Sequence, residues 1–467
     1  MAGAVCVALG TSLAWFSTPA ILSGAHDLFW PSLCQALALL VVPLFSMSEN
    51  PRNLFRAEHI VVVAPVFWLL LDPLQGRYDM LGVTSDKVRQ AYLAIGFFAG
   101  CAWLGVMGRP WRPPGFFVHA ASQPMSERAL FGIGLLAFTL AFLRFAVPSG
   151  FDPVRMVGAL FGGRWSAPWG RGNLGGTDAF LDHLSYFGYM LPAVTVALSR
   201  RAGWVNFRTL ILAAMALLIT VFLAQGGGRR ITGTLLGSAV VFWFLSVPRV
   251  QLRNLVGVAL MAVGIGALME FMLDYRNVGV GALFNPEAKE WSVQAGGERG
   301  VIRVDDNFLR LTQMVSIFPE EHPYTTWRYM LWVVVRPIPR VLWPNKPLDP
   351  GFDLPEFIGS AGASLSSSVV GELIMAGGLL TVALGGWFYG RLGSALSNLL
   401  LSTTTYSALM LHSMGLMALF VGERSMIELV LMGYGTLAWV VLVWFLGGEA
   451  SLSTSSSRRS TVCIPPA

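Results

Sequence analysis

Charged residues are scarce in this chain of 467 residues. Asp, Glu, Lys and Arg make up 12% of the sequence and hydrophobic residues 54%, with a mean hydropathy of +0.61. A soluble domain carries about twice that charged fraction. This shortage of charge argues against a large soluble domain, and it predicts that residues 1–467 form a single integral membrane domain.

Cysteine is also rare, and its placement supports neither a disulfide framework nor a zinc site. Cys6, Cys34 and Cys101 lie in or beside apolar runs, and Cys463 lies in the polar C-terminal tail. The net charge of +6 is modest. In a membrane protein such an excess is typical of loop arginines that set topology, so we expect no nucleic-acid partner.

Apolar runs of bilayer-spanning length recur at about twelve places along the chain. The predicted fold class is therefore an all-α polytopic membrane protein. The predicted spans are 3–22, 29–47, 59–74, 88–108, 129–147, 183–199, 209–224, 231–247, 254–274, 366–388, 399–420 and 425–446.

The placement of arginine orients these spans. With the N-terminus inside, every short inner loop is basic, as the positive-inside rule expects. Both termini are then cytoplasmic, including a tail at 447–467. The inner arginines are Arg52, Arg56, Arg109, Arg112, Arg128, Arg200, Arg201, Arg208, Arg249, Arg253, Arg391, Arg458 and Arg459.

Two outer segments are long. Residues 148–182 contain "GGRWSAPWGRGNLGG" and show no helical period. Residues 275–365 contain "WRYMLWVVV", which is too short to span and predicts an interfacial helix against the outer leaflet, ended by Pro337 and Pro339. Long loops are usually functional or disordered. The second segment is therefore the expected catalytic loop.

An arginine pair lies in the short outer turn "AQGGGRRITG". Arg229 and Arg230 face outward there, against the charge rule. They form either a phosphate clamp, since guanidinium donors match phosphate oxygens, or a tight turn whose arginines reach lipid headgroups. The pattern alone does not separate these alternatives.

A second group of cations lies in "RPIPRVLWPNKPLDPG". Arg336, Arg340 and Lys346 belong to it, and Arg328 precedes it by about two helical turns. Several prolines fix the backbone path, which lowers the entropy cost of holding cations in place. The alternative is an interfacial helix with basic anchors.

The acidic and titratable candidates carry weaker signals. Glu372, near the outer end of the tenth span, serves either as a base or, as we favour, to hold an arginine. Asp305 and Asp306 fit a solvated loop or a helix cap. His322 is outward and titratable, although isolated histidines of this kind are usually not catalytic.

Two further patterns are missing. No DxD motif stands in an outer loop with the spacing of metal-dependent sugar-nucleotide enzymes, and "GGGRR" lacks the GK[ST] ending of a P-loop. We therefore expect no metal and no cofactor, and an ATP-driven transporter is disfavoured.

Residues 220 to 395 resemble the bacterial oligosaccharide repeat unit polymerases, the Wzy-type O-antigen polymerases. The resemblance lies in the Gly-Arg turn, "IPRVLWPNKP", and the Ser-rich stretch that leads into "GELIMAGGLLTVALGGWFYGRL". Arg340 and Gly351 also bracket ten residues, similar to the Arg-Gly spacing in outer loops of such polymerases.

The resemblance implies a fold like the metal-independent branch of the GT-C glycosyltransferases, in a bacterial inner membrane. It implies undecaprenyl pyrophosphate-linked oligosaccharide as both donor and acceptor, and a separate chain-length regulator as a partner. It implies Arg229 or Arg230, together with Arg336 and Arg340, as pyrophosphate ligands, and with Glu372 these are the expected catalytic residues. The expected substrate contacts are Arg328, His322, Trp343, Asn345 and Lys346, and Trp165, Trp169 and Trp327 are further candidates for stacking on sugars.

Three other functions stay open. An O-antigen ligase would use similar arginines but would pair a histidine with those of the large loop. A flippase or transporter would line a path across the bilayer with charge, whereas here the candidate cations lie on one side. A scaffold of a polysaccharide assembly complex is the third alternative.

Overall fold

The structure, a computed structural model, describes residues 1–77, 82–109, 111–170, 176–226, 228–284, 302–336, 338, 342–347, 350–359, 365–403 and 405–446. Within these ranges every regular element is helical and no β-strand occurs. Lipid offers no water to satisfy backbone N–H and C=O groups, and a helix satisfies them internally. The predicted all-α fold is confirmed.

The α-helices of the described residues are numbered in chain order. They are α1 Ala2–Ser17, α2 Phe29–Glu49, α3 Ala57–Leu74, α4 Ser85–Met107, α5 Gly115–Ser122, α6 Glu127–Ala146, α7 Pro153–Phe161, α8 Gly176–Ser185, α9 Leu191–Ala202, α10 Phe207–Gln225, α11 Arg229–Leu245, α12 Leu252–Tyr275, α13 Asn307–Ile317, α14 Trp327–Val335, α15 Leu354–Phe357, α16 Ser368–Ser402, α17 Tyr406–Gly422 and α18 Met426–Leu446.

Eight helices of the described residues are long and apolar enough to cross a bilayer, namely α2, α3, α4, α6, α10, α12, α16 and α18. The protein is thus a multi-pass membrane protein by helix length and composition. The other four predicted spans fall on shorter helices. These have 16 residues in α1, 12 in α9, and 17 each in α11 and α17.

Two of these shorter spans were predicted too long. Helix α1 ends at Ser17, because Thr18 is extended before Pro19 and a residue before proline avoids the α conformation. The span at 183–199 is not one continuous helix. A 3-10 turn at Tyr186–Met190 separates α8 from α9, and Pro192 occupies the first turn of α9, where a missing N–H costs little.

Helix α16 corrects the predicted boundary between the tenth and eleventh spans. It runs from Ser368 to Ser402 with a break at Gly377 and Gly378, where Gly378 has φ +69°. Arg391 therefore lies buried inside a helix instead of in an inner loop, and its guanidinium lies over the Trp111 and Trp387 rings.

Glycines explain why this helix continues. A Cβ added at Gly386 would lie 2.1 Å from the carbonyl oxygen of Phe98, and one at Gly390 would lie 2.0 Å from that of Ala102. Small residues spaced at one helical turn let two backbones approach closely. Helix α16 packs in this way along α4, so the chain stays helical through the segment that the sequence assigned to a loop.

The buried side chains form two clusters. One is built mainly by α6, α9, α10, α11, α17 and α18. The other is built by α1 to α4 together with α13, α14 and α16. Leu396 and Leu429 pack against both clusters, so α16 and α18 join the two halves of the bundle.

The two long segments that the sequence assigned to the outer side are more structured than predicted. Residues 148–182 contain α7, so the predicted absence of helical period is wrong for that part. Residues 275–365 contain α13, which the sequence did not predict, and α14, which it did. Helix α13 buries Phe308, Leu311 and Met314 in the second cluster. The Phe308 ring lies 5.0 Å from that of Tyr92 on α4, so this part of the segment packs into the helix bundle.

Candidate functional site

Arg229 and Arg230 are the first two residues of α11. Positive charge is unfavourable at a helix N-terminus, so each guanidinium needs acidic neighbours. Arg229 donates to the carbonyl oxygen of Arg303 at 2.7 Å and to Asp305 Oδ1 at 3.0 Å. Arg230 pairs with Glu428 at 2.5 Å. The turn thus places both arginines against other chain segments and not towards lipid headgroups alone.

Asp305 bridges two arginines from distant parts of the chain. One carboxylate oxygen accepts from Arg229, and the other accepts from Arg424, in the turn between α17 and α18. Burial would raise the pKa of Asp305, but the guanidinium groups of Arg424 and Arg229 outweigh it and lower that pKa below its ordinary value. Asp305 thus lies in a loop, as expected, but its carboxylate is ion-paired and partly buried, and Asp306 is the N-cap residue of α13.

The same end of the bundle holds two more ion pairs. Arg303 lies 2.7 Å from Glu270 and 2.5 Å from Asp274, both in the last two turns of α12. Burial opposes the charge of Arg303, but its hydrogen bonds to Asp274 and Glu270 raise its pKa above the ordinary value. Arg424 also lies 3.8 Å from Glu428 in the first turn of α18, where a carboxylate interacts favourably with the helix dipole.

These eight residues form what we call the arginine–carboxylate cluster. Its members are Arg229, Arg230, Arg303, Arg424, Glu270, Asp274, Asp305 and Glu428. The four guanidinium charges and the four carboxylate charges cancel when all are ionised. An anion that binds here must therefore displace carboxylates from the arginines or contact additional cations. Until an anion binds, the carboxylates hold the guanidinium groups in fixed positions.

Five of the six cluster members outside the Gly-Arg turn were not among the residues that the sequence pointed to, namely Arg303, Arg424, Glu270, Asp274 and Glu428. Arg424 carried the same signal as Arg229 and Arg230, because it also lies in a short predicted outer turn, against the positive-inside rule. Glu270 and Asp274 lie at the end of the ninth predicted span, and Glu428 lies in the twelfth, where an acidic side chain is costly and usually paired, so these three carried a signal as well. Arg303 lies inside the long segment 275–365 and carried none.

Glu372 lies in the first turns of α16, before the break at Gly378, and is buried. Its carboxylate accepts from Ser425 Oγ at 2.5 Å and from the Met426 N–H at 2.7 Å, and Tyr329 of α14 is a further hydrogen-bond partner. Among the described residues no arginine forms an ion pair with Glu372, although Arg424 is an electrostatic neighbour, so the favoured arginine-holding role stays a prediction. Glu372 ties α14 to the start of α18, beside the cluster.

The cations of the large outer segment lie on and after α14. Arg328 and Arg336 are both exposed, and the Arg336 guanidinium lies 4.6 Å from the centre of the Trp332 ring. Arg336 follows Tyr329 by about two turns, or roughly 10 Å along the helix. Because Tyr329 contacts Glu372 next to Arg424, this segment and the Gly-Arg turn belong to the same end of the bundle. Arg340, with Pro337 and Pro339, lies outside the described residues.

The other residues expected to bind substrate are placed as follows. The Lys346 ammonium donates to the carbonyl oxygens of Arg336 at 2.7 Å and Ile338 at 2.6 Å, so it ties Ile338 to the end of α14, and its predicted contact with substrate stays a prediction. Trp343 and Asn345 are exposed. Trp327 is exposed as well.

His322 packs against two aromatic rings, those of Phe318 and Phe352, at 5.3 Å and 5.0 Å between ring centres. Its Nδ1 lies 2.7 Å from the carbonyl oxygen of Pro323. In the described part of the chain no hydrogen bond joins His322 to an arginine. The arrangement expected of a ligase, a histidine paired with arginines of the large loop, does not occur among these residues.

The arginines that mark the opposite end of the bundle contact the C-terminal end of α11. Arg52 donates to the carbonyl oxygens of Val247 and Pro248, and Arg200 donates to Ser246 Oγ and to the carbonyl oxygen of Trp243. These arginines satisfy carbonyl groups at helix ends, where positive charge is favourable. The cluster thus belongs to one end of the protein only.

A cavity of about 810 Å³ lies beside the cluster end. Trp165 and Arg155 line it, and the Arg164 guanidinium covers one face of the Trp165 ring at 4.1 Å. The loop that forms the cavity is anchored on the end of α10, where Gln225 donates to the carbonyl oxygen of Gly163. Trp169, a second expected sugar contact, is buried and donates to Gln225, so that expectation is wrong.

The described residues contain no group of three or more His, Cys, Asp or Glu side chains arranged to hold a metal ion. No family model matches the chain, and no curated protein or solved structure matches it at a significant level. The geometry of the cluster and the resemblance of residues 220 to 395 are therefore the grounds for a functional assignment.

Proposed function

We propose that this protein is a membrane glycosyltransferase that polymerises lipid pyrophosphate-linked oligosaccharide repeat units at the outer face of a bacterial inner membrane. The observation that carries the proposal is the cluster. Guanidinium groups from the Gly-Arg turn, the large outer segment and the α17–α18 turn meet at one end of the bundle. Guanidinium is the side chain best matched to diphosphate oxygens.

The chemistry requires little more than placed cations. A sugar hydroxyl of one lipid-linked unit forms a bond to the anomeric carbon of the growing glycan, and its proton is released. The bond from that carbon to the pyrophosphate breaks, and the leaving oxygen takes the electron pair. The carbon gains oxocarbenium character as the bond breaks. Guanidinium donors fixed near the leaving oxygen stabilise the charge that grows there.

Charge balance assigns different tasks to the two groups of arginines. The cluster is neutral, so it holds its guanidinium groups ready and exchanges carboxylate for phosphate oxygens. Arg336, which is exposed, and Arg340 would supply further guanidinium donors to the diphosphate. Glu372 acts in this scheme as a positioning residue, because it fixes α14, and with it Arg336, against the turn that carries Arg424.

The remaining parts of the proposal follow from the resemblance. The bundle would have about twelve spans in a GT-C-like arrangement, with both termini cytoplasmic and a separate chain-length regulator as partner. The glycan would rest on the outer segments. The cavity at Trp165 suits it, because an exposed indole face stacks on the apolar face of a sugar ring while Arg155 offers hydrogen bonds.

The test uses purified full-length protein in lipid vesicles with defined lipid diphosphate-linked repeat units. The wild type should produce a ladder of chain lengths. Arg336→Ala and Arg340→Ala should each reduce the rate on the order of 10²–10³-fold, as removal of a transition-state donor does. Arg200→Ala, which removes an arginine at the opposite end of the bundle, should keep the wild-type rate.

Other outcomes would point elsewhere. A wild-type ladder with unchanged rates in both variants would overturn the site assignment. Transfer of whole glycans to a lipid A core acceptor without chain growth would identify a ligase. Movement of the lipid-linked unit between leaflets without any new glycosidic bond would identify a flippase.

A further inference from the structure

Helix α12 is poorly covered by the rest of the bundle. Of its 24 residues, Asn254 and Met272 alone are buried. Its main contacts run along α11, where Gly257 approaches Trp243 near one end and Met269 packs on Gly233 near the other. A spanning helix that touches its neighbour along one line leaves a furrow open to the surrounding lipid.

A groove of about 690 Å³ occupies this furrow. Its walls are α11 and α12, and it is closed at one end by the α9 side of the bundle. The side chains that line it are apolar, without a charged group among them. They are Val196, Trp204, Leu236, Ala239, Val240, Trp243, Leu260, Met261, Ile265 and Leu268, together with Gly257 and Gly264.

The groove leads to the arginine–carboxylate cluster. Leu268 lines the groove, and Glu270, which pairs with Arg303, lies roughly 3 Å further along the axis towards the cluster end, with its side chain on the other side of α12. On the other wall Arg229 precedes Leu236 by about two turns. An anionic head bound at the cluster and an apolar tail lying in the groove would therefore be continuous.

The length of the groove indicates a lipid tail longer than an ordinary acyl chain. From Gly257 to Leu268 it extends roughly 16 Å along α12 and is centred on the middle of that helix. The hydrocarbon core of a bilayer is about 30 Å thick, so an acyl chain held at the outer surface reaches only about halfway across. A tail that starts at the cluster and fills the groove must pass the bilayer centre.

We propose that the groove between α11 and α12 binds the polyisoprenoid tail of a lipid diphosphate whose head lies at the arginine–carboxylate cluster. This inference rests on the proposed function for the identity of the head group. It adds the path by which the lipid enters, sideways from the bilayer between α11 and α12. A tail in the groove contacts the apolar side chains of α11 and α12 in place of bilayer lipid. This contact holds the attached diphosphate at the cluster end of the groove.

Two glycines of α12 give a matched pair of variants. Gly264 lines the groove, whereas Gly266 does not, and a Cβ at either position meets no atom within 4 Å. Gly264→Leu therefore puts a side chain into the groove from a position where its Cβ meets no atom, and Gly266→Leu adds the same side chain outside the groove. Both changes should favour the helix equally, since leucine has the higher helix propensity.

The probe is a polyprenyl diphosphate without sugars that carries a photoreactive diazirine in its tail. It is added to full-length protein in vesicles of phosphatidylethanolamine and phosphatidylglycerol, and the labelled peptides are identified by mass spectrometry. We expect label on α11 and α12. Gly264→Leu should weaken labelling about tenfold, equivalent to about 1.4 kcal/mol, and Gly266→Leu should leave it unchanged.

Competition with unlabelled lipids distinguishes a site for polyprenyl diphosphate from a site for ordinary bilayer lipid. Unlabelled polyprenyl diphosphate should remove the label, whereas excess phosphatidylglycerol should not. Equal competition by phosphatidylglycerol, label confined to other helices, or equal effects of the two leucine variants would each overturn the inference. Polymer formation without label in the groove would reject the groove and retain the proposed function. Label in the groove without any glycosyl transfer would retain the groove as a tail site and reject the proposed function.

Discussion

Replacement of Asp305 by asparagine should lower stability and tighten anion binding at the same time. Asp305 holds Arg229 and Arg424 through its two carboxylate oxygens. Asparagine has nearly the same shape but no charge, so two guanidinium groups lose their shared counter-ion. If the cluster is a diphosphate site, the same change removes a negative charge that competes with the ligand.

The loss of stability and the gain in anion affinity can be estimated separately. A hydrogen bond to a charged group contributes about 1.5–3 kcal/mol, and two are weakened here. The Asp305 side chain is 33% exposed. Solvent screening reduces the sum, and we expect a loss of about 2–3 kcal/mol in the free energy of unfolding. For binding, one charge removed at about 6 Å from a phosphate amounts to about 0.7–3 kcal/mol at effective dielectric constants of about 80 to 20. Affinity for a lipid diphosphate should rise about 3- to 100-fold.

The stability effect should also depend on pH. The pKa of Asp305 is lower in the folded protein than its ordinary value of about 3.9. The stabilisation is therefore fully present above about pH 4, and it is lost as the pH falls from there through the folded-state pKa. The difference between wild type and Asp305→Asn should be constant from about pH 5 to 8 and shrink below about pH 4.

The measurements are a denaturant titration in mixed micelles and binding of a sugar-free polyprenyl diphosphate. Glu320→Gln serves as control, because it removes an exposed ion pair with Lys87 that is not part of the cluster and should change stability by less than about 0.5 kcal/mol. Equal stability of Asp305→Asn and Glu320→Gln would refute the energetic argument. Lower stability with weaker diphosphate binding would refute the idea that carboxylates and ligand compete for the same arginines.

Two further predictions concern the packing of α16 on α4 and the cavity at Trp165. Gly390→Leu should prevent the protein from folding normally, because its Cβ would lie 2.0 Å from the carbonyl oxygen of Ala102, whereas Gly100→Leu, with no atom within 4 Å, should accumulate in the membrane like wild type. Normal yield of monodisperse Gly390→Leu on size-exclusion chromatography would contradict the close packing of α4 and α16. Trp165→Ala should raise KM for lipid-linked oligosaccharide about 5- to 30-fold with little change in kcat, since stacking contributes roughly 1–2 kcal/mol. An unchanged KM would remove the cavity from the glycan path.

Much of the fold followed from local features of the chain. Apolar runs separated by basic turns located the helices, and prolines and glycines marked several of their ends. Helix α13 was missed because Asn307–Ile317 carries polar residues and lies next to paired aspartates, which resembles a loop. The loop assigned to Arg391 was wrong because glycine contacts along α4, and not hydropathy, keep α16 helical there.

The candidate site was predicted in part. Arg229 and Arg230 stood out because they break the charge rule of their own turn, and this signal is local. Their partners were not predictable in this way. Asp305 and Arg424 are separated by 119 positions in sequence, and neither residue type nor spacing indicates that they meet.

The sequence alone determined that this is a helical protein of the membrane, because long apolar segments in lipid must satisfy their backbone hydrogen bonds within each helix. Only the tertiary structure decided which charges are neighbours. Ion pairs form between side chains that packing brings within a few ångströms, and that packing is set by contacts between helices far apart in the chain. The neutral balance of the cluster and the groove that leads to it are properties of that packing.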